Sequence, residues 1–184
     1  MLSPAYPIRT ERLLLRPFTP EDIDDVSAYQ SREDVCRYIP YPPRTRERVA
    51  ERTAPPHARS TIEEPGHALL LAVQLRQAGH VIGDVMLHWA SREHGTGEIG
   101  YVFNPDYAGH GYATEAVHEL LRLGFADLRL HRIIARTDAR NIASVGVLRR
   151  LGMRQEAHLL ENEWFKGEWS DELDFAILAS EWKT

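Results

Sequence analysis

Apolar and polar positions alternate with a period of two along Glu98-Ile99-Gly100-Tyr101-Val102-Phe103. Ile99, Tyr101 and Phe103 share one side and Glu98, Gly100 and Val102 the other, which predicts a strand over 97–103 whose faces meet different surroundings. The period changes past Gly111. Ala116, Val117, Leu120, Leu121, Gly124, Phe125 and Leu128 recur at helical spacing, while Thr114, Glu115, His118, Glu119 and Arg122 fall mostly off that stripe. This is an amphipathic helix with a core-facing side. Further strands are expected over 13–17, 68–76, 81–89, 133–137, 158–164 and 172–178, the second and third joined by a turn at Gln77-Ala78-Gly79-His80. Pro20-Glu21-Asp22 reads as a helix start, with carboxylates near the positive end of the dipole. Between residues 40 and 66 prolines and charges dominate, and one helix over 45–52 is expected there, flanked by loops. The alternation of elements predicts an α/β (α+β) fold, a mixed sheet with helices, in one domain spanning 1–184.

The strand at 97–103 runs into Pro105-Asp106-Tyr107-Ala108-Gly109-His110-Gly111-Tyr112-Ala113-Thr114-Glu115-Ala116. Two glycines allow close backbone approach to a ligand, and the first helical turn offers unpaired N–H groups at its positive end, so the segment reads as an anion cradle suited to phosphate. Taken alone it reads equally as a tight strand-to-helix turn. A second segment, Asn141-Ile142-Ala143-Ser144-Val145-Gly146-Val147-Leu148-Arg149-Arg150-Leu151-Gly152-Met153, follows the expected strand at 133–137.

Together the two segments resemble the Gcn5-related N-acetyltransferase (GNAT) superfamily, and particularly its RimJ/RimL-like branch of ribosomal-protein N-terminal acetyltransferases. That branch carries Gly-x-Gly-Tyr-Ala-Thr-Glu-Ala, as at Gly109 to Ala116, and Asn-x-x-Ser followed by Leu-Gly-Phe, where this chain has Met153. The opening Thr10-Glu11-Arg12-Leu13-Leu14-Leu15-Arg16 and the closing Gly167-Glu168-Trp169-Ser170-Asp171 also fit. The resemblance implies a mostly antiparallel sheet flanked by helices, acetyl-CoA as cosubstrate with its pyrophosphate on the amides of Gly109, His110, Gly111, Tyr112, Ala113 and Thr114, and an acceptor cleft beside residues 40–66. It implies an enzyme moving an acetyl group to a primary amine, of a small molecule or a protein N-terminus.

Composition narrows the classes. The chain has 184 residues, 43% of them hydrophobic, enough to bury one sizeable core. A net charge of −5 argues against sequence-independent nucleic-acid binding. Cys36 is the single cysteine, which suits a reducing cytoplasm. No leader-like start and no run of membrane-spanning length is present, so a cytoplasmic protein, monomer or homodimer, is expected. Nine histidines form no His-Glu-x-x-His pattern or close Cys/His cluster, and no metal is expected.

Amine acetylation needs a deprotonated nucleophile, because an alkyl ammonium has a pKa of roughly 10. The resemblance points to Glu98 as the base, since family members often carry a carboxylate on this strand; otherwise it is a surface glutamate at a strand start. A backbone N–H on the same strand, near Val102 and Phe103, is implied for the carbonyl oxygen. Asn141 and Ser144 match positions that contact CoA, though Asn141 also suits a helix cap and Ser144 an ordinary first-turn position. The chain departs from the wider superfamily at Ala108, where other branches carry Gln or Arg, and at Leu148, where many members place a tyrosine proposed to protonate the thiolate. Tyr101 and Tyr112 are the available substitutes, or packing residues. The missing tyrosine keeps open a non-catalytic acyl-CoA-binding or regulatory module.

Overall fold

A computed structural model describes residues 1–183. Eight strands, β1 (Ile8–Arg9), β2 (Leu13–Arg16), β3 (Ala68–Leu75), β4 (Val81–Ser91), β5 (Thr96–Phe103), β6 (Arg132–Asp138), β7 (Arg154–Phe165) and β8 (Glu168–Leu178), form one sheet ordered β1-β2-β3-β4-β5-β6-β8-β7. Every neighbouring pair is antiparallel except β5 and β6. Parallel neighbours need a crossover, and α4 (Tyr112–Arg122), entered through the glycine turn, supplies it.

The expected α4 stripe is core. Ala116, Val117, Leu120 and Leu121 are fully buried against Val85, Leu87 and Ile99. The regular α-helix ends at Arg122, however, and the chain widens into a π-helical turn, Leu123–Asp127, before β6. α5 (Ile142–Arg150) adds Val145 and Leu148 to the same face. On the opposite face α1 (Ile23–Gln30) and α3 (Arg46–Thr53) bring Val26, Tyr29 and Val49 onto Ala72 and Val81 in a smaller cluster. Thr45 caps α3, accepting from the Arg48 N–H at 3.3 Å. A short helix, α2 (Glu33–Cys36), and the two-residue β1 were not legible in the apolar pattern, being too short to show a period.

Pro20–Asp22 forms a 3-10 turn ahead of α1, and Asp22 is buried because Arg16 meets it with two nitrogens at 2.7 Å while the Thr19 N–H donates at 2.8 Å. β7 and β8 extend beyond the expected 158–164 and 172–178, since hairpin pairing carries polar residues the alternation rule leaves out. Of the four tryptophans, Trp89 is buried and Trp182 lies against the core, but Trp164 and Trp169 are exposed and meet edge-on at 5.4 Å. Among the described residues no helix is long and apolar enough to cross a membrane.

Candidate active site

β5 and β6 pair over three positions only, Thr96 with Arg132, Gly97 with Ile133 and Glu98 with Ile134. β5 then continues beside β4 to Phe103 while β6 diverges, so the sheet opens into a fork just beyond Glu98. Asn104 N–H donates to the Ile82 carbonyl at 2.8 Å. By the alternation of an antiparallel ladder, Val102 and Gly100 also turn their backbone groups to β4, which leaves the amides of Tyr101 and Phe103 facing the fork. Of the two residues expected to offer an amide there, Phe103 does so, and Val102 presents its side chain instead. A cleft of about 370 Å³ fills the fork and continues under the segment between α2 and α3.

The glycine turn stands at the end of β5. Gly109 and Gly111 have φ of +82° and +80°, a left-handed backbone that other residues adopt only with strain. Gly111 is the N-cap of α4 and offers no side chain to satisfy the first turn. As a result the N–H groups of Gly109, His110, Gly111, Tyr112, Ala113 and Thr114 find no acceptor among the described residues. A run of unpaired amides at a helix start fits a diphosphate, and it does so without a side chain at Ala108.

The turn is clamped from outside. Glu115 accepts from Thr10 Oγ1 at 2.6 Å, the Arg12 N–H at 2.8 Å and Arg12 Nε at 2.7 Å, and Arg12 Nη1 donates to the His110 carbonyl at 2.7 Å. Burial pushes the Glu115 carboxyl up, but these donors outweigh it and hold its pKa below the usual value. The opening segment, matched in the sequence without a role, therefore holds the cradle's shape. His110 is exposed and stacked on Tyr112 at 5.5 Å, and Arg12 lies 4.8 Å over the Tyr112 ring. Arg150 Nε reaches Thr114 Oγ1 at 3.4 Å, joining α5 to the cradle.

Inside the cleft Glu98 sits at the root of the fork, 28% exposed in its side chain, with Arg136 Nε 4.0 Å away. Asn141 caps α5 through its side-chain oxygen, accepting from the Ser144 N–H at 3.1 Å, and both residues line the cleft, so the capping and lining roles coincide. The Tyr101 hydroxyl meets Ser144 Oγ at 2.8 Å beside Leu148. Burial pushes the Tyr101 pKa up to about 12, opposed by the Ser144 hydrogen bond. Tyr112 does not line the cleft.

Sequence reasoning missed several cleft residues. Asp84 stands 8% exposed inside β4, with Oδ2 accepting from Tyr29 Oη at 2.7 Å and Gln30 Nε2 at 2.9 Å. Burial pushes its carboxyl above the usual range, against those two donors. An aspartate interrupting the apolar run Val81-Ile82-Gly83-Asp84-Val85 was the available signal. Tyr41, Arg44 and Arg52 come from the proline-rich stretch and carried no periodicity to mark them. Among the described residues no group of three His, Cys, Asp or Glu side chains is placed to hold a metal ion.

The acetyltransferase (GNAT) domain family matches residues 12–154. YnaD, an uncharacterized N-acetyltransferase of Bacillus subtilis (strain 168), is 38% identical over 95% of this chain and 98% of its own length. Among solved structures, an acetyltransferase (GNAT family) from Bacillus anthracis has a TM-score of 0.84 at 36% identity, covering 95% of this chain and 99% of that one. Spermidine N-acetyltransferase from Vibrio cholerae, in complex with CoA and spermine, shares the fold, with a TM-score of 0.76 at 21% identity over 94% of this chain and 98% of that one. With an open parallel pair, a turn of unpaired amides at its end and these likenesses, the chain belongs to the GNAT acetyltransferase superfamily and is an acetyl-CoA-dependent N-acetyltransferase.

Proposed function

We propose that residues 1–184 act as one cytoplasmic N-acetyltransferase domain whose acceptor is a primary amine that attacks the thioester directly, with Glu98 removing the amine proton itself or through a water. The observation that carries this reading is the position of Glu98 at the point where β5 and β6 part. The amides of Tyr101 and Phe103 line the free edge for the pantetheine and the thioester oxygen, and the amides from Gly109 to Thr114 hold the pyrophosphate. Asn141 and Ser144 close the opposite wall from α5. The glycine-turn motif supports kinship with the branch of ribosomal-protein N-terminal acetyltransferases, and kinship within this fold leaves the choice of amine to the acceptor cleft.

Tyr101 shares the cleft with Leu148, the position of the missing family tyrosine, and its hydroxyl bonds Ser144 one helical turn away. With its pKa near 12 and a CoA thiol resembling cysteine at about 8.5, full proton transfer to the thiolate is uphill by roughly 5 kcal/mol. The leaving group therefore departs as a thiolate, and Tyr101 serves as a hydrogen-bond donor rather than an acid.

The test has two parts. Calorimetry with acetyl-CoA, against ATP and NAD, should show selective binding by the wild-type protein. Glu98→Gln should retain that binding and lose about a hundredfold to ten-thousandfold in kcat at pH 7. The deficit should shrink as the pH approaches the amine pKa of roughly 10, where the acceptor deprotonates unaided. An unchanged rate across that range removes Glu98 from the base role.

A further inference from the structure

We infer, resting on the acetyl-transfer reading above, that the acceptor is a small amine that also carries a carboxylate, which Arg52 receives beside Arg44 while the amine faces Glu98. The charges lining the cleft are two carboxylates, Asp84 and Glu98, and three guanidiniums, Arg44, Arg52 and Arg136. Four of these five are already matched. Arg136 lies 4.0 Å from Glu98. Arg44 Nη1 donates to Gln30 Oε1 at 2.6 Å, and Gln30 Nε2 donates to Asp84 at 2.9 Å, so one amide relays between cation and anion. The Arg44 guanidinium carbon lies 3.6 Å from the centre of the Tyr41 ring, a contact that holds the cation at the cleft wall.

Arg52 is the surplus. Among the described residues it makes no direct ion pair; its one hydrogen-bond partner is His57 Nδ1 at 3.3 Å, and the nearest carboxylate, Glu51, stands behind that ring, 3.7 Å from its Nε2 and outside the cleft lining. Its remaining nitrogens keep the planar fork suited to a carboxylate. The same cleft is lined by Phe18, Ile39, Leu70 and Met86, a surface for a carbon skeleton. A polyamine would instead bring further ammonium groups into a cleft whose carboxylates are both answered and whose odd charge is positive.

The test measures CoA release by the full chain at saturating acetyl-CoA. Acceptors are the ω-amino acids from glycine to 6-aminohexanoate and L-phenylalanine, each against its own carboxamide, with spermidine and a C-terminally amidated peptide free of acidic residues as comparisons. We expect one or more acids to exceed their amides by roughly tenfold or more in kcat/KM, mainly through KM. Arg52→Gln should bring that ratio close to one, and Arg52→Lys should keep part of it. Arg52 is partly exposed and unpaired, so the fold should survive, and a thermal melt checks this. Equal rates for acids and amides, a preference for spermidine or the peptide, or a ratio unmoved in Arg52→Gln would overturn the inference and leave acetyl transfer standing. Acetyl-CoA binding with no turnover of any amine would sink both.

Discussion

Replacing Gly109 with alanine separates the cost of a strained backbone from the loss of a ligand. Gly109 has φ +82°, and a Cβ built there meets no other atom within 4 Å. The folded protein therefore pays only for the left-handed conformation, about 1–2 kcal/mol. For a chain of 184 residues that corresponds to a Tm drop of roughly 2–8 °C. Gly79, in the turn between β3 and β4, is a matched control, since its φ is +76° and its nearest Cβ neighbour is Gln74 Nε2 at 3.8 Å. The two alanine variants should lose similar stability. Only Gly109→Ala should also lose acetyl-CoA affinity, because its methyl stands among the unpartnered amides that hold the diphosphate. Displacing one charge-assisted hydrogen bond costs about 1.5–3 kcal/mol, which is roughly tenfold to 150-fold in Kd. Differential scanning fluorimetry and calorimetry on both variants give the two numbers. If Gly109→Ala binds acetyl-CoA as tightly as Gly79→Ala does, the turn is not the phosphate cradle.

Two further outcomes follow from the cleft. Tyr101→Phe should lower kcat by roughly tenfold to 150-fold, the value of one hydrogen bond to a charged sulfur, without removing any limb of the pH–rate profile below pH 9; a change within twofold would make Tyr101 a packing residue. Asp84 has a folded-state pKa raised by burial, so its stabilising contribution is present in full below the unfolded carboxyl pKa and is lost as pH climbs through the folded one. Asp84→Asn should accordingly gain Tm relative to wild type on going from pH 4 to pH 8, and a difference that stays flat or falls over that range would contradict the burial argument.

Much of the site was readable because local geometry built it. The period-two strand, the two glycines and the helical stripe each depend on residues adjacent in the chain, and so did the expectation that Glu98 and the amides from Gly109 to Thr114 lie at the two ends of one strand. The cap that Asn141 forms was legible on the same ground, since a cap is decided within three residues. What escaped was whatever required distant segments to meet. Asp84 reads as one polar residue in an apolar strand until Tyr29 and Gln30 arrive from α1, more than fifty positions away. Thr10 and Arg12 gain a purpose only when Glu115 is beside them.

By itself the sequence determined the longer elements, the glycine turn and the family, because dihedral preferences, apolar periodicity and motif spacing act over a few residues at a time. The tertiary structure alone decided that β5 and β6 part after Glu98, and that Arg44, Arg52 and Arg136 line the same cleft as Asp84 and Glu98, three guanidiniums to two carboxylates. Charge balance in a cleft is a sum over segments that share no sequence neighbourhood, and folding is what brings its members to one place.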